Sequence, residues 1–397
     1  MKKFMIGTAL AALTATGVMA QDETVNIGII LGFTGPIESL TPDMAASAEL
    51  AIAEANKSEL FMGGDMLIAP VRADSTCVDA AAASAAAERL ITGDNVIGIM
   101  GADCSGVTTA IASNVGVPNG VVMVSPSATS PALSDIEDNG YFFRTAPSDA
   151  RQGQVLADVV TERGVNSVAI TYTNNDYGLG LADAFQAAYE AAGGSVEIVA
   201  AHEDGKGDYS AEVGALAASG AEALAVFGYV DQGGRGIIQS AIDTGAFDTF
   251  ILGDGMIGDS LTENFGPDIN GTFGTAPGSD SEDFANFDAM AKENGIEGDG
   301  PYRGESYDAA ALIILAAQAA GSVDRAEIQA NIMNVANAPG EQIGAGELER
   351  ALQILADGGE IDYQGATGVE LIGAGEAAGS YRELEVMEGQ FSTVNVR

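Results

Sequence analysis

A chain of 397 residues, 47% hydrophobic and 18% charged, is long enough for about two cores and too apolar to be disordered. Lys plus Arg number 16 against 57 Asp plus Glu, a formal net charge of −41. That balance excludes nucleic acid and anionic lipid surfaces as partners, because phosphate recognition needs lysine and arginine, and it leaves the acid excess as a solvated, solubilising surface.

The chain opens with Lys2 and Lys3, then the apolar stretch FMIGTALAALTATGV, then VMA, with Val18 and Ala20 at the two small-residue positions of a cleavage site. This is the pattern of a secretory signal peptide over 1–20, cut after Ala20. No cysteine follows the site to carry a lipid, and no later stretch reaches the ~18 apolar residues of a membrane span. The mature chain is expected to be exported and soluble. Its two cysteines, Cys77 in RADSTCVD and Cys104 in MGADCSGV, are expected to form a disulfide in that setting. The rival role, a reactive thiol beside a base, is weakened by the distance in sequence to the single histidine, His202.

From residue 25 onward, short β-branched runs alternate with longer Ala-rich segments. VNIGIIL (25–31) reads as a strand, 44–56 as a helix with small residues for close packing, and MLIAPVRAD (66–74) as the next strand. A helix over 79–91, VIGIMG (96–101), a helix over 105–115 and VVMV (121–124) continue the series. Beyond YFFRTAP (141–147) the alternation starts again. SVAITYT (167–173), SVEIVA (195–200), ALAVFGY (223–229) and FILG (250–253) are strands, separated by helices over 179–192, 209–218 and 233–244. Strands alternating with helices across short loops imply a parallel sheet covered on both faces.

The last third reads as helices over 284–295, 307–321, 325–337 and 349–359, with too few strands for a third domain. These helices are expected to complete the first lobe, and 360–372 and 381–394 to return as strands to the second. The fold class is therefore α/β, with two Rossmann-like lobes, each with a parallel-type central sheet. The first takes 21–145 plus 277–359, and the second 146–276 plus 360–397. About three crossings, near 146, 276 and 360, make a hinge, and the expected motion is closure around a cleft.

Catalytic patterns are missing from the sequence: no G-x-S-x-G elbow, no Walker A loop and no H-E-x-x-H. A lone histidine argues against His-based metal sites and most triads, and His202 reads as a surface residue after a strand. The aspartates of GSDSEDFANFD lack the spacing of a calcium loop and read as a solvated helix start. No enzyme activity, cofactor or metal is expected. What the chain does have is a set of polar loops at strand carboxyl ends, where open α/β sheets bind ligands. GFTGPIESL (32–40), GADCSG (101–106) and SPSAT (125–129) belong to the first lobe. TNNDYG (173–178), GYVDQ (228–232) and LGDGM (252–256) belong to the second. The first set offers hydroxyls and helix N-termini, which favour an anion; the second offers tyrosines and a carboxylate. Such a cleft suits a small zwitterion. Plainer roles stand beside this one: Ser105 as a helix cap, Tyr177 and Tyr229 as packing at the lobe edge, and Asp254 as a turn residue.

Six segments in order, VNIGIILGFTGP, DSTC, GADCSG, VSPSATSPALS, NNDYGLGLADAF and FGYVDQGG, resemble the Leu/Ile/Val-binding type of periplasmic substrate-binding protein. The resemblance covers essentially the whole mature chain. It implies a type I periplasmic binding protein fold, a periplasmic location and a monomer that closes on a small-molecule ligand and delivers it to an ABC transporter permease. It implies that Ser105 and Thr129 hold a ligand carboxylate. Ser127, next to Ala128, would accept the ammonium through its carbonyl, aided by the Thr129 hydroxyl. Tyr177 and Tyr229 would close from the second lobe, and Asp254 would face the ammonium. Two positions depart from the family pattern: Leu40 stands where a tyrosine is usual, and Asp254 is shorter than the usual glutamate. An amide, a small organic acid or an aromatic acid therefore stays open as ligand, as does a sensing role. An exported α/β enzyme is the third alternative, and the missing nucleophile and base count against it.

Overall fold

The structure, a computed structural model, describes residues 23–397; the expected signal peptide lies outside them. The first alternating series is β1 (Glu23–Leu31), α1 (Thr41–Ser58), β2 (Met66–Asp74), α2 (Ala80–Glu88), β3 (Val96–Gly101), α3 (Ser105–Ile111), β4 (Met123–Ser125) and β5 (Phe142–Arg144). The second begins with α4 (Asp149–Glu162), β6 (Ser167–Thr173), α5 (Asp176–Ala191), β7 (Ser195–His202) and α6 (Ser210–Ala217). It continues through β8 (Ala223–Phe227), α7 (Gly233–Thr244), β9 (Phe250–Leu252), α8 (Asp259–Phe265) and β10 (Phe273–Pro277). Then come α9 (Glu282–Glu293), α10 (Arg303–Ala320), α11 (Arg325–Ala336), β11 (Glu341–Gly344), α12 (Leu348–Ala356) and β12 (Ile361–Gly365). The chain ends with β13 (Leu371–Ile372), β14 (Glu376–Ala377), β15 (Tyr381–Met387) and β16 (Gln390–Val396).

Two mostly parallel seven-stranded sheets result, ordered β13-β14-β5-β4-β3-β1-β2 and β16-β15-β10-β9-β8-β6-β7. Their central strands β3 and β8, VIGIMG and ALAVF, are buried at every position, as strands covered on both faces must be. The flanking strands β2 and β7 alternate between exposed and less exposed residues and sit at sheet edges, where Pro70 in β2 is tolerated. In each sheet the strand order reverses beside one strand, β1 in the first and β6 in the second. Crevices for ligands open at such points, beyond the carboxyl ends of the strands. Those ends carry the polar loops singled out above. Helix α10 is buried from Arg303 through Gln318, with apolar residues all round, and packs against α1, α11 and the first sheet.

The chain passes between the sheets three times, after β5, after β10 and after β14. Ser380 Oγ donates to the Gly278 carbonyl at 2.9 Å and Tyr381 Oη to the Ser148 carbonyl at 3.2 Å, so the passages run side by side. The third lies at 378–380 and not near 360. Residues 360–372, expected in the second lobe, stay with the first: β12 pairs with β11, while β13 pairs with β14, which pairs with β5. Asn337, at the end of α11, fixes this placement by bonding both the N–H and the carbonyl of Leu371.

Cys77 and Cys104 are bonded and tie the loop after β2 to the loop after β3. His202 is not a surface residue. It is 1% exposed, its Nδ1 lies 2.9 Å from Thr171 Oγ1, and burial lowers its pKa from the ordinary 6.5 to about 4. The unfolded chain therefore takes up a proton that the folded chain refuses. The stability from this group is complete above pH ~6.5 and is lost as the pH falls toward about 4, to a limit of roughly 3 kcal/mol. In denaturant titrations at about pH 7 and about pH 4.5, the wild type is expected to lose about 2 to 3 kcal/mol more on acidification than His202→Asn.

Candidate ligand-binding cleft

One cavity is lined from both sides of the cleft. The first-lobe wall comprises Ile37 and Leu40 before α1, Asp103, Cys104 and Ser105 at the start of α3, and Ser127 after β4. The second wall comprises Tyr177, Tyr229, Asp254 and Gly255, and Tyr302 reaches in from the start of α10.

The first wall is shaped by hydroxyls and propped by one arginine. Ser125, at the end of β4, donates to the Ala102 carbonyl at 2.5 Å and accepts the Ala128 N–H at 3.0 Å, turning the chain. Ser127 Oγ donates to the Asp103 carbonyl at 3.2 Å, and Ser105 Oγ accepts the Ser130 N–H at 3.1 Å. From behind, the buried Arg144 donates to the Ala128 and Ser130 carbonyls, both at 2.9 Å, and pairs with Glu376 at 2.5 Å. Its charge is spent on the loop and on Glu376, away from the cavity. Asp103 is buried, and burial raises its carboxyl above the ordinary range. N–H groups of Gly32 (2.6 Å) and Cys104 (2.9 Å) and the Ser75 hydroxyl (3.0 Å) counter this and splice three loops together.

On the second wall, Tyr177 and Tyr229 stack with ring centroids 5.3 Å apart. Tyr177 Oη donates to Asp254 Oδ1 at 2.8 Å and accepts the Gly255 N–H at 3.0 Å. The Tyr302 hydroxyl donates to the other Asp254 oxygen from across the cleft. Burial raises the Asp254 carboxyl, and the two tyrosine bonds hold it down. Burial pushes all three tyrosines well above their usual range, so they act as neutral donors. Two glycines of the YGLG stretch answer to close approach. A Cβ on Gly178 would strike the Thr173 carbonyl, and one on Gly180 would lie 2.7 Å from Pro131 of the opposite lobe.

The cleft is closed. Asp231, after β8, accepts the Ser39 N–H (2.9 Å) and the Ser260 hydroxyl (2.7 Å), and its own N–H donates to the Pro36 carbonyl at 3.0 Å. No lysine or arginine is among the described residues lining the cavity.

Sequence reading thus brings Leu40, Ser105, Ser127, Tyr177, Tyr229 and Asp254 to one cavity. Ala128 and Thr129 are buried behind its wall. Tyr307, five residues after Tyr302, is in the core, donating to Glu54 at 2.6 Å. Asp103 and Ile37 carry signals only in hindsight, as the acid before Cys104 and the apolar residue of the 32–40 loop.

A sequence profile for periplasmic binding proteins matches residues 24–344. The chain belongs to the periplasmic binding protein family. Among relatives of this binding protein, Leu/Ile/Val-binding protein homolog 3 of Brucella melitensis is 30% identical over 331 residues, 81% of this chain and 86% of the relative. A branched-chain amino acid transporter substrate-binding protein of Streptococcus pneumoniae, in complex with isoleucine, aligns with a TM-score of 0.78 at 20% identity, covering 94% of this chain and 99% of the other. An ABC transporter solute-binding protein of R. palustris, in complex with 4-hydroxybenzoate, gives 0.73 at 19% identity, covering 94% and 97%. At such identities the two structures establish the fold alone. The family and these neighbours are solute-binding proteins, not enzymes.

The Arg144 prop yields a test of how the first wall is held. Arg144→Met leaves the Ala128 carbonyl without its side-chain donor, the Ser130 carbonyl with only the Leu133 N–H and Glu376 with only the Ser134 hydroxyl, and is expected to lower stability by about 3 kcal/mol in urea titrations.

Proposed function

We propose that this binding protein is the receptor of an ABC importer. It closes on an amino acid or amino-acid-like zwitterion and delivers it to the membrane permease. The observation that carries this reading is Asp254, a buried carboxylate bonded by tyrosines from both sides of a cavity whose described lining has no lysine or arginine. That side of the cavity has a place for an ammonium group and none for a second anion. The hydroxyls of Ser105 and Ser127 and the N–H groups opening α3 stand opposite and suit a carboxylate. Leu40 and Ile37 offer an aliphatic surface for the ligand side chain, with the Tyr177–Tyr229 stack facing them. We take 23–145 plus 281–377 as one lobe and 148–277 plus 381–397 as the other. Contacts from both lobes make the ligand favour the closed state.

The relative's Leu/Ile/Val-binding name and the isoleucine in one structural neighbour agree with this class. A second reading, an aromatic acid, draws support from the neighbour holding 4-hydroxybenzoate. The carboxylates of Asp103 and Asp254 weigh against it, since such a ligand brings a negative charge and no ammonium.

A thermal-shift screen of the mature chain against α-amino acids, amides and aromatic acids separates the readings. An α-amino acid with an aliphatic side chain is expected to stabilise, by about 2.7 kcal/mol when present at 100 times its Kd. Asp254→Ala is expected to weaken that binding about 100-fold or more while circular dichroism stays unchanged. Unchanged affinity in the variant, or stabilisation by aromatic acids alone, would reject the ammonium assignment.

A further inference from the structure

We propose that Tyr302 is a specificity-determining residue of the cleft: its hydroxyl holds the place on Asp254 that a ligand's ammonium takes, and only a cationic group displaces it. This rests on the function proposed above and adds how the site turns away neutral and anionic ligands.

The two donors to Asp254 are unequal. Tyr177 reaches Oδ1 at 2.8 Å and also accepts the Gly255 N–H at 3.0 Å, so its bond is built into the second wall. Tyr302 reaches Oδ2 from the other side of the cleft, and its hydroxyl bonds to nothing else among the described residues. A ligand seated between the walls leaves the first bond in place and meets the second. With Tyr302 in this position the cavity is about 20 Å³, room for about one water. An amino acid needs many times that, so part of the wall must withdraw to admit one.

Of the polar groups on the walls, Tyr302 is the one placed to move. Ser105 and Ser127 are tied to backbone groups, and Tyr177 is held by two bonds and stacked on Tyr229. Tyr302 is 5% exposed and has φ +70°, a left-handed conformation that a bulky residue rarely adopts and that marks functional sites. It stands at the junction of the 296–301 loop with α10. Beyond it the helix is fixed: the Ser306 N–H donates to the Tyr302 carbonyl at 2.9 Å, and Arg303 donates to Asp288 at 2.9 Å. A change of φ at this one residue relieves the strain and swings the ring off Asp254 while α10 stays in place.

Charge decides the exchange. Tyr302 is a neutral donor, so it gives Asp254 a hydrogen bond and no compensating charge. An ammonium gives both. A hydroxyl or amide on a ligand offers only what Tyr302 already supplies, and a carboxylate is repelled. Every ligand must break the Tyr302 bond, and a cationic one alone replaces it with something stronger. The bond therefore lowers affinity for all ligands and raises the preference for amines.

The test has two arms on the mature chain. Tyr302→Phe keeps the ring and deletes the competing donor. In calorimetric titration with L-leucine it is expected to bind about tenfold more tightly than the wild type, the opposite of what a lost ligand contact would give. The second arm keeps the hydroxyl and does not depend on how that variant folds. 3-Fluorotyrosine is incorporated at position 302 alone and its fluorine resonance followed by NMR. The resonance is expected to shift on titration with L-leucine and to stay put with 4-methylpentanamide, a neutral analogue that lacks the ammonium. Equal or weaker L-leucine binding in Tyr302→Phe, a resonance unmoved by L-leucine, or an equal shift with the neutral amide overturns the proposal and leaves the amino-acid reading intact. Failure of L-leucine and every other α-amino acid to bind the wild type overturns both.

Discussion

A carboxylate taken out of water needs donors or a cation in place of its hydration shell, and Asp254 has two tyrosine hydroxyls and no cation from the described cavity lining. The rest of the cleft is arranged around that shortage. Tyr177 comes from the second lobe and Tyr302 from the long helix α10 that completes the first, so the bonds to Asp254 exist together only when the lobes meet. In the function proposed above, it is an ammonium that supplies the charge Asp254 lacks.

The first wall solves a different problem with the same economy of charge. Arg144 could serve as an anion receptor, but it is placed behind the loop and used to hold the carbonyls of Ala128 and Ser130. What remains at the cavity surface is two serine hydroxyls, the N–H groups at the start of α3 and the carboxyl of Asp103. Asp103 adds a buried acid that binds three loops through N–H and hydroxyl donors. The disulfide joins two of those loops.

Much of this was legible in the sequence. Continuous apolar runs such as VIGIMG and ALAVF mark buried parallel strands, and the polar loops after them mark the cleft, because both follow from local pattern. Sheet membership did not follow for 360–372. An alternating strand fits either sheet, and its place was decided by Asn337, a partner remote in sequence. His202 failed for a related reason: the polar run after it signals solvent, but Thr171 and the neighbouring strands bury the ring. Helix α4 was hidden by Gly153, which weakens the helical pattern and is needed where the helix meets the backbone of Ala184 and Phe185. Asp149 opens that helix as a first-turn acid, and its burial belongs to the tertiary structure.

The Asp231 contacts bear on timing. Asp231 joins the Pro36–Ser39 loop to the second lobe through bonds that need no ligand, so they favour the shut form whether or not the cavity is filled. A shut cleft admits nothing, and every arrival must wait for the latch to release. Every departure must wait for it as well. Opening in either direction breaks the Asp231 bonds to Ser39 and Pro36 together with the Tyr302–Asp254 bond, so the same set of contacts stands against both.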